Sequence, residues 1–153
     1  MKLKNLFGTI FFVLCVFVFS SCNDDDDCCV DIPTIDFLEI GQGTLSGGGK
    51  ENISKSNLVI TNDTDWQNLL NKMNTVNDVT SGFTEKMIDF DRYQVIAVFL
   101  DIKSSGWEVE IEKVTEEKGK IYVTTKEKEF ASTVMTQPFC IVKIVKTDKE
   151  VVF

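Results

Sequence analysis

The chain has 153 residues, with 16 Lys and Arg against 24 Asp and Glu, and a formal net charge of −8. This length allows one domain of ordinary size, and the acidic balance makes nucleic acid and anionic lipid surfaces poor partners. The sequence contains no histidine. Ser-His-Asp and Cys-His nucleophilic sites are therefore excluded, together with most catalytic zinc sites.

Residues 1–21 are predicted to form a lipoprotein signal peptide. Lys2 and Lys4 make a short basic region, and the apolar run over 6–19 is too short for a membrane-spanning helix, which needs about 20 residues. The run ends in FSSC, and small residues before a cysteine at this place resemble the bacterial lipobox. We therefore predict that Cys22 carries the lipid and begins the mature chain. A soluble secreted protein with an incidental Cys22 is the alternative.

An acidic block follows the cysteine directly, made of Asp24, Asp25, Asp26 and Asp27. Adjacent carboxylates repel one another, so the block can be a solvated spacer within a tether over 22–34. It also resembles the export signal of Bacteroidota lipoproteins, which directs them to the outer face of the outer membrane. We expect an outer-membrane lipoprotein exposed at the cell surface, and a periplasmic orientation stays open. An EF-hand would need spaced ligands and a central glycine, which the block lacks.

Three further cysteines, Cys28, Cys29 and Cys140, form an odd set. Adjacent residues have Cα atoms about 3.8 Å apart, which is shorter than the roughly 4.4–6.8 Å of ordinary disulfides. We therefore expect the tandem pair to be free or intermolecular and Cys140 to be a small core residue in a strand. A bridge from Cys140 to one member of the pair is the alternative. A metal site from this trio would lack a fourth ligand, so none is predicted.

The folded domain is expected over 35–153, and its first half contains one helix. A strand begins at Ile35–Ile40, a flexible loop covers 41–50 (GQGTLSGGGK), and a short strand covers 57–61. Thr64 with Gln67 predicts a capping box. The helix that follows has one apolar face at i, i+3, i+4 and i+7, made of Trp66, Leu69, Leu70 and Met73. That face should pack on a sheet.

The second half reads as a series of strands. The apolar segment 93–100 is typical of a central strand covered on both faces. Residues 106–114 alternate apolar and acidic positions, and a turn at 116–119 leads into 120–126 as a hairpin. After a loop or crossing segment over 130–137, strands are expected at 138–146 and 151–153. The fold class is therefore α+β, a mostly antiparallel sheet with one packed amphipathic helix.

From about Ile35 onward, the order of short motifs resembles the C-terminal domain of the protease complex subunit PrcB family. The motifs are a helix bearing Trp66, IDFDRYQVIAVF at 88–99, a Gly-aromatic turn, VEIEKV at 109–114 and PFCIVKI at 138–144. Members usually have Gly-Gly-Tyr at the turn, where this chain has Ser-Gly-Trp. The resemblance implies an envelope-attached accessory domain associated with proteolytic machinery, with no activity of its own.

Residue chemistry agrees with a non-catalytic role. The densest carboxylates, Glu108, Glu110 and Glu112, alternate along a strand and are expected on a solvated face rather than as a catalytic pair. No cofactor is predicted. We expect a protein-interaction module with an unknown partner, and its candidate contact turn comprises Ser104, Ser105, Gly106 and Trp107. Gly106 should permit a backbone conformation that is closed to other residues. Trp107 either projects from the turn as a contact or packs in the core, and both interpretations stay open. A protease inhibitor and a surface glycan- or ligand-binding lipoprotein are the alternatives.

Overall fold

A computed structural model describes residues 32–153 of the chain. The predicted signal peptide, the lipid-attachment residue Cys22, the acidic block at 24–27 and the cysteine pair at 28–29 lie outside the described residues. The lipidation of Cys22, the role of the acidic block and the state of the cysteine pair therefore stay predictions. Across 32–153, no helix is both long enough and apolar enough to cross a membrane.

The described chain forms two sheets and one α-helix, which confirms the α+β class with mostly antiparallel strands. One sheet has four strands in the order β1-β6-β3-β2, and the other has three in the order β4-β5-β7. The element bounds are β1 Phe37–Ser46, β2 Ser56–Ile60, α1 Asp63–Met73, a 3₁₀ turn Val79–Gly82, β3 Tyr93–Phe99, β4 Gly106–Glu117, β5 Lys120–Phe130, β6 Thr136–Val145 and β7 Val151–Val152.

The four-stranded sheet is the middle layer and is covered on both faces. Alternate residues of β3 point to opposite faces. Val95, Ala97 and Phe99 join the core under α1, whereas Ile96 and Val98 join the core against the three-stranded sheet. The continuous apolar run of β3 thus has the two-sided burial expected from the sequence.

Helix α1 buries the predicted apolar face, but it begins earlier than predicted. Its buried side chains are Trp66, Leu69, Leu70 and Met73. The N-cap is Asn62, whose Oδ1 accepts a hydrogen bond from the backbone N–H of Asp65 at 2.9 Å. The prediction of Thr64 as the N-cap is wrong. Asn62, two residues before Thr64, is the N-cap, because its side chain accepts a hydrogen bond from a backbone N–H group of the first helical turn.

Strand β1 continues through most of the segment that was predicted as a loop. Its pairing with β6 extends to Ser46, so only the residues after it turn. The glycines in this strand permit close packing rather than a bend, since a Cβ at Gly41 would lie 2.4 Å from the ring of Phe83. The prediction of a loop over 41–50 is therefore wrong for its first six residues.

The β4–β5 hairpin is longer than the sequence indicated. Its turn residues Lys118 and Gly119 both have positive φ, as the tight hairpin turns that match strand twist require. A bulge between Ile111 and Lys113 shifts the register, and pairing continues to Gly106 opposite Phe130. The loop predicted over 130–137 is therefore reduced to the five residues between β5 and β6.

The chain enters the fold beside the turn end of this hairpin. The N–H of Ile35 donates to the carbonyl of Val114 at 2.8 Å, and the N–H of Glu116 donates to the carbonyl of Pro33 at 3.0 Å. The entry point is therefore at the end of β4 opposite to Gly106.

Candidate partner-binding site

The predicted contact turn lies where β4 begins, next to the end of β5 and the start of β6. We call the segments 102–107 and 127–135 together the Trp107 surface. Backbone hydrogen bonds in both directions join Lys103 to Thr136, at 2.8 and 3.1 Å. The link between β3 and β4 is thus fixed against the first residue of β6.

Lys103 covers the half-buried Trp107. Its Nζ lies 4.3 Å from the centre of the indole ring and 3.3 Å from Oε2 of Glu127. A cation over the face of a tryptophan is attracted by the ring quadrupole. One face of the Trp107 ring is therefore covered by the ammonium group of Lys103.

A polar chain fixes the indole edge. The Nε1–H of Trp107 donates to Oγ of Ser105 at 2.9 Å, and that hydroxyl donates to Oε1 of Glu129 at 2.7 Å. Trp107 and Glu129 are directly opposite in the β4–β5 ladder. The orientation of the ring is therefore set by its own turn and by the neighbouring strand.

Gly106 is required for space and not for its backbone conformation. Among the described glycines, positive φ occurs at Gly49 and Gly119 and not at Gly106. A Cβ at Gly106 would lie 2.3 Å from Cε2 of Phe130, whose ring covers the glycine. The expectation of a special backbone conformation at Gly106 is wrong, and the close approach of an aromatic ring replaces it.

Phe130 separates two clefts at this end of the molecule. A cleft of 720 Å³ is lined by Ser105, Glu129, Phe130, Ala131, Ser132 and Thr133. A smaller cleft of 240 Å³ is lined by Gln42, Gly43, Thr44, Trp107, Glu108 and Phe130. The side chain of Phe130 is shared by both clefts and is 48% exposed. A ligand in either cleft would therefore contact this ring.

Further apolar side chains extend the surface beyond Phe130. Ile102, Val134 and Met135 are all exposed, and Val134 reaches 61%. The loop that carries Met135 is packed tightly, since a Cβ at Gly47 would lie 2.2 Å from the Met135 carbonyl oxygen. Ile102 and Met135 adjoin the paired residues Lys103 and Thr136, and exposed apolar side chains on joined segments are typical of a protein-contact surface.

The structure brings together three of the four predicted contact residues. Ser105, Gly106 and Trp107 take part in the contacts above, whereas Ser104 is exposed in a bend. Sequence analysis missed the roles of Lys103, which covers the indole, and of Phe130, which covers Gly106. The contact of Phe130 with Gly106 depends on the hairpin register, which the sequence did not reveal, whereas Lys103 is only four residues from Trp107.

The strand carboxylates Glu108 and Glu110 form ion pairs, and the thiol of Cys140 is buried. Glu108 pairs with Lys128 at 3.1 Å and Glu110 with Lys126 at 3.4 Å on the solvated face of the hairpin, as expected. Cys140 is buried in β6 and has no disulfide partner within 32–153. Burial raises the pKa of its thiol to about 11, so the reactive thiolate is scarce at neutral pH.

In the part of the chain that the structure describes, no group of three or more Cys, Asp or Glu side chains is arranged to hold a metal ion.

Fold and surface together define a small α+β domain that presents an apolar end to solvent. Residues 95–145 match the PrcB C-terminal family. The resemblance predicted from the sequence is thus confirmed over a segment that runs from β3 to β6 and contains the whole Trp107 surface. No curated protein and no solved structure matches the chain.

Proposed function

We propose that this chain is a lipid-anchored, non-catalytic accessory protein that binds another protein through the Trp107 surface, in association with an envelope protease. The observation that carries the proposal is the PrcB C-terminal match over 95–145, because the matched segment includes the exposed apolar end. A PrcB-like domain implies association with a protease complex. The lipid anchor and the partner's identity go beyond that match.

The composition of the Trp107 surface supports binding to a protein. Interface energy concentrates in a few buried anchors, often Trp, surrounded by contacts that exclude water. Trp107 is already oriented by Ser105, so little conformational freedom would be lost when a partner covers it. Glu127 and Glu129 supply a polar rim beside the apolar side chains.

Support for the anchor comes from the sequence before residue 32. The basic start, the apolar run and FSSC indicate that Cys22 is lipidated. A single acyl chain binds a membrane only reversibly, so the two or three chains of a bacterial lipoprotein would make the attachment stable. The acidic block at 24–27 is the proposed signal for the outer membrane and the cell surface.

The binding proposal is tested with two valines of similar exposure, one in the loop before β6 and one at the last residue of β6. Val134 is 61% exposed on the Trp107 surface, and Val145 is 65% exposed at the far end of the strand. Val134→Glu should remove the co-purifying protein from native membranes, because the carboxylate would be buried in the contact. The matched control Val145→Glu should retain it.

Trp107→Ala gives the complementary measurement. Loss of the partner with thermal stability nearly retained supports a contact role, whereas a loss of several kcal/mol of stability, as for a buried aromatic, would make Trp107 structural. Retention of the partner by both the Val134→Glu and Trp107→Ala chains contradicts the proposal. A protease inhibitor, the first alternative, would instead block a purified protease directly.

A further inference from the structure

Several strands leave a backbone edge open within 32–153, since β1 and β2 end the four-stranded sheet, β4 ends the other, and β7 covers β5 at two residues. Among the described residues, β2 pairs with β3 alone. β5 pairs with β7 only at Ile121 and Tyr122, so within 32–153 no strand covers its remaining edge from Val123 to Phe130. A row of unpaired N–H and C=O groups is a template for another chain unless the side chains prevent pairing.

The open edge of β5 is protected against self-pairing by its charges. Two copies that pair antiparallel about a two-fold axis place residues of the same face opposite each other. On β5, Lys126 and Lys128 share one face, and Glu127 and Glu129 share the other. Registers centred on Lys126, Glu127, Lys128 or Glu129 would therefore oppose like charges, which is destabilising.

The open edge of β2 has the opposite character. Its sequence, SNLVI, contains no charged residue and no proline, and Val59 is 40% exposed. A groove of 340 Å³ runs between this strand and α1, lined by Leu58, Val59, Ile60, Asp65, Asn68, Leu69 and Lys72. Nothing in these side chains opposes the addition of a strand.

The charges on the helical wall of the groove are self-complementary. Asp65 and Lys72 are separated by about 10.5 Å along a helix, close to the roughly 13 Å that the five residues of β2 span. Neither side chain has an ion-pair partner among the described residues. Since only two residues separate Ile60 from Asp63, Asp65 lies toward the Ile60 end of β2 and Lys72 toward the Ser56 end.

We propose that the β2–α1 groove is a two-fold interface with a second copy of this chain. With Leu58 on the axis, Ser56 pairs with Ile60 of the second copy and Asn57 pairs with Val59. The same rotation brings Asp65 of each copy opposite Lys72 of the other, which forms two symmetric ion pairs. The two four-stranded sheets then join into one continuous sheet.

Disulfide cross-linking of the full chain in intact cells tests this arrangement. In a chain with Cys28→Ser and Cys29→Ser, the substitution Leu58→Cys places a thiol on the axis, where opposite Cβ atoms lie about 4.5–5.5 Å apart. A mild oxidant should give a covalent homodimer. Thr124→Cys, on the protected edge of β5, is the matched control and should give at least fivefold less dimer.

A charge swap tests the two-fold geometry itself. In the Leu58→Cys chain, Lys72→Asp should lower the dimer yield at least threefold, because it opposes two carboxylates in each symmetric contact. The double variant Asp65→Lys/Lys72→Asp should restore the yield, since the exchanged charges are again opposite. A hetero-partner would not show this restoration.

Three results would overturn the proposal. The first is equal cross-linking at positions 58 and 124, and the second is failure of the double charge swap to restore the dimer. The third is a disulfide between position 58 and a different protein, which would identify the groove as a binding site for a strand of that protein. Co-expressed chains carrying Asn57→Cys and Val59→Cys under different tags provide a second variant pair. Their mixed dimer is expected even if Leu58→Cys folds poorly.

Discussion

The contact between Gly106 and Phe130 predicts a strong coupling between two substitutions. Gly106 and Phe130 are directly opposite in the hairpin, and the phenyl ring lies over the glycine. Such glycine–aromatic pairs are known to compensate for the missing side chain of a strand glycine. Gly106→Ala should therefore destabilise the native chain, and the same substitution should be harmless once Phe130 is replaced by Ala.

The magnitude follows from the contact distances. An added Cβ would lie between 2.3 and 2.9 Å from three ring atoms, while carbon atoms prefer about 3.5–4.0 Å, so the ring must move by about 1 Å or more. Overpacking costs about 1–3 kcal/mol. The ring is half exposed and can rotate toward solvent, which places Gly106→Ala at the lower end, about 1–2 kcal/mol. In the Phe130→Ala chain, Gly106→Ala should instead stabilise the fold by about 0.4–1 kcal/mol, because alanine reduces the backbone freedom of the unfolded state.

Urea unfolding of the four chains of this double-mutant cycle measures the coupling, expected at about 2 kcal/mol. Gly82→Ala is the control, because a Cβ there meets nothing within 4 Å. It should stabilise by about 0.4–1 kcal/mol, and its effect should be the same with and without Phe130. If Gly106→Ala has the same effect with and without Phe130, the ring does not constrain the glycine and the reasoning is wrong.

Three further predictions concern the cysteines and the acidic block. Mass spectrometry of the N-terminal peptide should find the lipid on Cys22, and Cys22→Ala should leave the membrane fraction; a mainly unmodified peptide would refute the anchor. Replacing 24–27 with alanines should preserve lipidation but protect the protein from protease added to whole cells, whereas unchanged accessibility would make the block a spacer. Because burial raises the pKa of the Cys140 thiol from 9.0 to about 11, the unfolded chain loses this proton first as pH rises. The free energy of unfolding should therefore fall by about 2–3 kcal/mol between pH 9 and 11, with a smaller slope for Cys140→Ala.

The elements with strong periodicity were predictable from the sequence. The apolar face of α1 and the buried run of β3 depend on side-chain spacing alone, and both are as expected. Glycine was the main source of error. In β1 and at Gly106, glycine leaves room for the aromatic ring of a distant residue. In the sequence alone, such a glycine cannot be distinguished from one that forms a turn.

The residues of β5 that lie opposite Gly106 and Trp107 could not be derived, because their register depends on the bulge in β4. The turn at Lys118 and Gly119 alone would set Phe130 opposite Trp107, and the extra residue between Ile111 and Lys113 moves it to Gly106. A bulge is a tertiary feature that the alternation of Val109 and Ile111 does not reveal. The sequence therefore indicated the turn but not the ring that covers it.

The point at which the chain enters the fold determines how a pull would be transmitted. Any attachment before Pro33 acts at Thr115, and the Trp107 surface lies about 30 Å away along β4. If the proposed lipid anchor is present, a protein bound to the Trp107 surface would be separated from the entry point by the length of one strand. Tension between that anchor and the partner would reach β4 through hydrogen bonds, because the covalent chain after Ile35 continues into β1. The points most exposed to that load are the two hydrogen bonds that join Pro33 and Ile35 to this strand.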